Sequence, residues 1–144
     1  MSAASPIRIL TVDDHPMLRE GIAALLGGEM DLALVAEASN GREAIEQFRT
    51  HRPDVTLMGL QMPVMSGNDA IQAIRKDFPD ARIIVLTTYT GDARAVQAFR
   101  AGASGYLLKN EMRKELAGAI RSVHAGEKKI PREIEIQLAT HSVS

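Results

Sequence analysis

The sequence predicts an α/β domain with a doubly wound, five-stranded parallel sheet in strand order 2-1-3-4-5. Strand and helix signals alternate five times along the chain, and the strand segments at 7–12, 54–58 and 82–86 are largely apolar runs. Continuous apolar strands are typical of parallel sheets that are covered on both faces. Five βα units in succession favour the doubly wound arrangement.

The strands and helices follow from short-range patterns. Strands are expected at 7–12, 32–38, 54–58, 82–86 and 106–108, where apolar or β-favouring residues run together. Helices are expected where apolar residues recur at helical spacing, at 18/22/25/26, 44/45/48, 70/71/74, 95/96/99 and 116/120/123. Asn40 with Glu43 resembles a capping box at the start of the second helix. Gly27, Gly102 and Gly126 are placed to end the first, fourth and fifth helices.

The chain is expected to contain a domain over residues 1–126 and a linker or short helix over 127–144. In the second segment Pro131 suits the first helical position, and Ile134 and Leu138 lie one turn apart. This segment is read as leading toward a further C-terminal domain that lies outside the sequence.

Composition narrows the classes of function. The 144 residues are 45% apolar and 24% charged, within the usual range of globular domains. The chain has no cysteine, so disulfides and thiolate metal sites are excluded. The net charge of -1 gives no basic stripe for nucleic acid. No apolar run approaches the roughly 20 residues of a membrane span, and no signal pattern opens the chain, so a cytoplasmic protein without a membrane partner is expected.

Polar side chains follow three of the predicted strands, and Gly59 follows a fourth, the strand at 54–58. Asp13 and Asp14 follow the first strand, Thr87 and Thr88 the fourth, and Lys109 the fifth. Because ligands of open α/β sheets bind at the carboxyl ends of strands, we expect these groups to form one site. Carboxylates suit Mg²⁺, while a hydroxyl and an ammonium suit a phosphoryl group.

Each feature also has a structural interpretation. The two aspartates could cap the first helix, the threonines could end a strand, and the lysine could be a solvated side chain. Their joint placement at ordered strand ends favours the binding site.

Four segments carry a resemblance to a known family. The runs at 12–16, 57–63, 86–88 and 102–109 resemble the receiver domain of response regulators in two-component systems, a flavodoxin-like fold. The resemblance covers roughly residues 7 to 125. The Asp-Asp-His-Pro start and the Gly-Tyr-Leu-Leu-Lys run are similar to the NarL/FixJ branch, whose members usually carry a C-terminal LuxR-type helix-turn-helix that binds promoters.

The resemblance implies roles for individual residues. Asp13, Asp14 and the backbone carbonyl of Gln61 would hold Mg²⁺, while Thr87 would be the switch hydroxyl and Lys109 the phosphate partner. The residues of the pocket rim would be Gln61 and Tyr89. Tyr106 would be the switch aromatic, with a surface aromatic at a strand end as the alternative.

Position 59 departs from the family pattern, in which an aspartate accepts the phosphoryl group. Glycine carries no nucleophile, so the acyl phosphate cannot form at Gly59. Neither Asp54, at the other end of the strand, nor Asp69, in the next helix, is an obvious substitute. Loss of an anion is also expected to weaken Mg²⁺ binding, because a nearby unit charge contributes a gross attraction on the order of 4 kcal/mol per cation charge. Lys109 is then expected to turn toward Asp13 or Asp14.

The leading hypothesis is therefore a receiver module, not an enzyme, that belongs to a DNA-binding regulator and acts through protein contacts. A sensor histidine kinase would be its ancestral partner, a homodimer is a further expectation, and promoter DNA would be reached only through a C-terminal domain. A close alternative is an ordinary phosphorylatable receiver with an introduced Asp-to-Gly change at position 59. A small phosphatase is disfavoured because His15 stands where a second acid is needed. A flavin-binding protein is disfavoured because two aspartates would repel a phosphate.

Overall fold

The sheet and its helices follow the predicted βα alternation. The computed structural model describes residues 5–88 and 93–143. In chain order its elements are β1 (Ile7–Val12), α1 (Pro16–Gly27), β2 (Leu32–Ala38), α2 (Gly41–His51), β3 (Val55–Gly59), α3 (Gly67–Asp77), β4 (Ile83–Thr87), α4 (Ala93–Ala101), β5 (Gly105–Leu108), a 3₁₀ turn (Lys109–Glu111), α5 (Met112–His124) and α6 (Arg132–Val143). All pairings in the sheet are parallel and the strand order is β2-β1-β3-β4-β5. The predicted fold class and strand order are confirmed.

Each face of the sheet carries its own apolar core. Side chains along the central strands alternate between the two faces, so that Met58 joins one core while Leu57 joins the other. The first core packs against α2, α3 and α4, and the second against α1 and α5. Coverage of both faces explains why β3 and β4 are buried at every position.

The start of α2 differs in one detail from the predicted capping box. The Asn40 side chain accepts a hydrogen bond from the Glu43 amide at 2.9 Å, as expected for an N-cap residue. The Glu43 carboxylate, however, accepts from the Ser39 amide and hydroxyl, each at 2.9 Å, and not from the Asn40 amide. The carboxylate therefore holds the residue before the cap and fixes how β2 leads into the helix.

The segment after α5 forms the expected helix, which begins directly after Pro131. Ile134 is fully buried in the first core, and Ile130 and Leu138 pack against that core. α6 therefore lies against the domain, in contact with α4. Whether 127–144 leads to a further domain stays a prediction. Among the described residues, no helix is both long and apolar enough to cross a membrane.

Candidate functional site

The candidate site lies at the carboxyl edge of the sheet, where β1, β3, β4 and β5 end side by side. Register pairs Gly59 with Leu86 and Thr87 with Leu108, which places the end of β4 between the ends of β3 and β5. A small cavity of about 50 Å³ opens there. Its lining comprises Leu60, Gln61, Leu86, Thr87, Thr88, Arg94 and Lys109. The structure thus brings together Gln61, Thr87 and Lys109, as the sequence predicts.

Asp13 is the buried acid of this site. Only 1% of the residue is exposed, and its Oδ1 accepts a hydrogen bond from the His15 amide at 2.9 Å. The His15 ring Nδ1 lies 2.7 Å from the same oxygen. Burial acts to raise the pKa of Asp13, but the bonds from His15 and the contact with Lys109 together lower it below the usual value. Asp13 is therefore held as a carboxylate at neutral pH.

Lys109 supplies the charge partner of that carboxylate. Its Nζ lies 3.0 Å from Asp13 Oδ2, off the direction of a good hydrogen bond, so the contact is best described as an ion pair. The Lys109 side chain is 25% exposed, so this pair is only partly open to solvent. The predicted turn of Lys109 toward Asp13 or Asp14 is confirmed, with Asp13 as the partner.

Gly59 leaves a gap that the Asp13 side chain partly fills. A Cβ atom placed on Gly59 would lie 2.7 Å from Asp13 Oδ2 and 3.2 Å from the Val12 carbonyl oxygen. Carbon atoms in real side chains do not approach an oxygen so closely, so a larger residue at this position requires Asp13 to move. Asp13 Oδ2 therefore lies beside the position from which an acceptor side chain would project, and it neutralises Lys109 there.

Asp14 and His15 complete the acidic edge. Asp14 is less buried than Asp13, and its Oδ1 lies 3.2 Å from His15 Nδ1. One ligand atom from each of Asp13, Asp14 and His15 falls within 4.8 Å of the others. Asp13 Oδ2 and Asp14 Oδ1 are buried without a hydrogen-bond donor among the described residues. Two buried carboxylate oxygens that accept no hydrogen bond fit the oxygen ligands that a divalent cation such as Mg²⁺ prefers, although Lys109 already lies beside one of them.

Arg19 holds the backbone of the loop after β1 that carries Asp13 and Asp14. Its Nη1 donates to the Asp13 carbonyl oxygen at 2.5 Å, and its Nε lies 3.3 Å from Glu37 Oε1. The guanidinium therefore links the end of β1 to the end of β2 and fixes the backbone that carries the two aspartates. No motif in the sequence marked Arg19 for this role, although its place one turn into α1 points back at the end of β1.

Several other predicted residues fall outside the small cavity. Tyr106 is half-buried, packs against the first core and lines a separate surface cavity of about 510 Å³ beside α5. Tyr89 lies outside the described residues. Asp54 accepts a hydrogen bond from the Arg8 amide at 2.8 Å near the start of β1, so it serves the opposite edge of the sheet. Asp69 lies in the first turn of α3.

Arg94 is the cavity residue that sequence reasoning missed. It lies in the first turn of α4, and its position follows from how that helix packs on the sheet. No strand-end pattern in the sequence selects it, because the residue belongs to a helix. Its charge adds a second cation beside Lys109 at the cavity.

Comparison with known proteins agrees with this geometry. A family model for the response regulator receiver domain matches residues 9–121. The chain is 36% identical over 132 residues to the transcriptional regulatory protein LnrK of Bacillus subtilis (strain 168), covering 92% of this chain and 60% of that protein. It is 36% identical over 132 residues to the response regulator protein VraR of Staphylococcus aureus (strain NCTC 8325 / PS 47), covering 92% of this chain and 63% of that protein.

Solved structures show the same likeness. A two-component response regulator of the LuxR family from Aurantimonas sp. SI85-9A1 superimposes with a TM-score of 0.83 at 38% identity, covering 97% of this chain and 100% of that one. The receiver domain of NarL from Mycobacterium tuberculosis gives a TM-score of 0.81 at 32% identity, covering 86% of this chain and 100% of that one. The chain therefore belongs to the response regulator receiver domains, and within them to the LuxR/NarL-type branch.

Proposed function

We propose that this chain is the signal-input module of a two-component, DNA-binding response regulator that is not phosphorylated at position 59. The observation that carries the proposal is the Asp13–Lys109 ion pair beside Gly59. The 3.0 Å contact gives Lys109 an anionic partner from within the pocket. The module would then act through protein contacts, either in one fixed state or under the control of another signal.

The surrounding acids are poorly suited to replace the missing nucleophile. The Asp13 carboxylate is buried, and its oxygens are already engaged by His15 and Lys109. Asp14 is more exposed, with a side chain that is 30% accessible, but one of its oxygens lies against His15. A nucleophile needs a free oxygen aimed at the incoming phosphorus atom, and both oxygens of Asp13 are already in contact with His15 or Lys109.

We further propose that Mg²⁺ binds, but weakly. Asp13, Asp14 and the backbone carbonyl of Gln61 would hold the ion, whose charge would offset that of a phosphoryl group. Two effects lower its affinity: Gly59 contributes no carboxylate, and Lys109 already neutralises one oxygen of Asp13. Mg²⁺ often relies on one or two carboxylates with water, so binding is weakened and not abolished.

The partners follow from the family and from the length of the relatives. The chain spans about 60% of the length of LnrK and 63% of that of VraR. We propose that a C-terminal domain in a longer parent protein binds promoter DNA, and that a sensor histidine kinase is the ancestral partner. Self-association into a homodimer belongs to the same proposal.

Mass spectrometry after incubation with acetyl phosphate and Mg²⁺ tests the central claim. The chain as it stands is expected to gain no phosphoryl group, while the Gly59→Asp variant is expected to gain one. A phosphoryl adduct mapped to Asp13 or Asp14 in the unchanged chain would contradict the proposal. Uptake by Gly59→Asp would show that the rest of the pocket is competent, as the alternative of an introduced change at this position requires. The sequence of the source gene would then distinguish a natural glycine from an introduced one.

A further inference from the structure

The C-terminal helix α6 is held on the domain by one apolar edge. After Gly126, which has a φ of +96°, the chain turns back to the residue before β5, where the Lys129 amide donates to the Ser104 carbonyl oxygen at 2.9 Å. Ile134 and Leu138 lie four residues apart on one side of α6, and Ile130, which precedes the helix, packs against the same core. Ile134 is fully buried and the other two are partly buried.

The surface beneath this edge is an apolar face of α4. Val96 and Phe99 are only 5% and 8% exposed, and they belong to the same core cluster as Ile134. Tyr106, which the family resemblance implies to be the switch aromatic, also packs against this cluster. Removal of α6 would therefore uncover a groove suited to a helix with apolar side chains four residues apart.

The deeply buried part of α6 is small among the side chains that the structure describes. Ile134 is its one fully buried side chain there, whereas α5 buries Met112, Leu116, Ile120 and Val123. Ile136, on the opposite side of α6, is 57% exposed. An isolated helix of 12 residues is marginal in water, so α6 depends on docking for its helical structure. When α6 leaves, the first core loses Ile134, whereas the second core keeps all of its buried residues.

We propose that α6 is a detachable strap over α4. Docked, it occupies the helix-binding face of α4; released, it exposes that face to a partner helix. The proposal deepens the proposed function, because a receiver that acts through protein contacts needs a surface that can be covered and uncovered. The resident occupant is α6 of the same chain. Tyr106 packs against the same apolar cluster as Ile134, so this cluster would couple the strap to the site at the strand ends.

Amide hydrogen exchange on the unchanged chain provides the first test. The α6 amides are expected to exchange at least about 10-fold faster than those of β3, because the helix opens without global unfolding. Exchange of α6 and β3 at one common rate would overturn the proposal, since the helix would then be an integral part of the domain.

Two matched substitutions provide the second test. Ile134→Ser is expected to speed exchange across α6 on the order of 10- to 100-fold, and to speed exchange in α4 with it, while β3 is unchanged. Ile136→Ser, the same change on the exposed side, is expected to alter neither helix. An Ile134→Ser chain whose α4 exchanges as before would overturn the proposal. If that variant unfolds as a whole, which β3 exchange would reveal, α6 is integral and the strap is refuted. None of these measurements involves phosphate or metal, so their failure would leave the proposed function standing.

Discussion

Replacement of Lys109 by Met tests whether the Asp13 carboxylate depends on its ion pair. The variant keeps the length and apolar stem of the side chain but removes the charge that lies 3.0 Å from Asp13 Oδ2. At that distance and an effective dielectric of about 20, the gross attraction is about 5 kcal/mol. Removal of one partner from a buried pair typically costs about 3–5 kcal/mol.

Two features of the site reduce the expected cost. Lys109 is 25% exposed, so solvent screens part of its charge, and Asp13 keeps its contacts with His15. We therefore expect Lys109→Met to lower the free energy of unfolding by about 1–3 kcal/mol at pH 7.5. Lys114→Met, a change at an exposed lysine of α5, is the control and is expected to stay within about 0.5 kcal/mol.

The pH dependence has a definite sign. In the unchanged chain the pKa of Asp13 is lowered, so its carboxylate contributes stability above about pH 4 that is lost as the pH falls further. Without Lys109, burial is opposed by His15 alone, and the pKa of Asp13 rises. The difference in free energy of unfolding between the two proteins should therefore be largest near neutral pH and shrink toward about pH 4. The reason is that, as the pH falls, Asp13 takes up a proton in the variant before it does so in the unchanged chain. His15 and Asp14 lie beside the same carboxylate in both proteins, so their contribution is common to both curves.

Urea unfolding in EDTA, from pH 4 to pH 8, measures these differences without a bound metal. The set includes Asp13→Asn and the double variant, because a double-mutant cycle isolates the coupling of the pair. The double variant is expected to lose less stability than the sum of the single changes. A Lys109→Met chain as stable as the original at pH 7.5, or one destabilised equally at every pH, would refute the reasoning.

Three further outcomes are expected. Gly59→Asp should raise Mg²⁺ affinity at least about 10-fold in calorimetric titration, because a third carboxylate restores roughly one unit of negative charge; unchanged affinity would contradict the weakened site. Gly67→Ala should lower the free energy of unfolding in urea by more than about 3 kcal/mol, because the new Cβ atom would collide with the Gly59 carbonyl oxygen. Gly21→Ala is the control: its Cβ atom would meet no neighbour within 4 Å, so the change should be neutral or stabilising in the same titration. Asn40→Ala should cost about 1 kcal/mol through loss of the bond to the Glu43 amide, and a melting temperature equal to that of the original chain would argue against this cap.

Much of the fold was predictable because the signals that encode it are local. Apolar runs and helical spacing involve neighbours within a few residues, and they located every strand and every α-helix named above, but not the 3₁₀ turn at Lys109–Glu111. Gly102 was expected to end α4, and it adopts a φ of +115° that favours glycine. The position of Asp13, Thr87 and Lys109 at one edge also followed, because parallel strands bring their carboxyl ends together.

The sequence by itself determined the absence of a nucleophile at Gly59 and the residue types around it. The tertiary structure decided which acid pairs with Lys109: Asp13 and Asp14 are adjacent in sequence, but only Asp13 points its Oδ2 toward the gap at Gly59. It also brought Arg94 to the cavity and buried Ile134 against α4. These outcomes depend on side-chain packing and on charges that meet across distant segments, and such interactions leave no periodic signal in the chain.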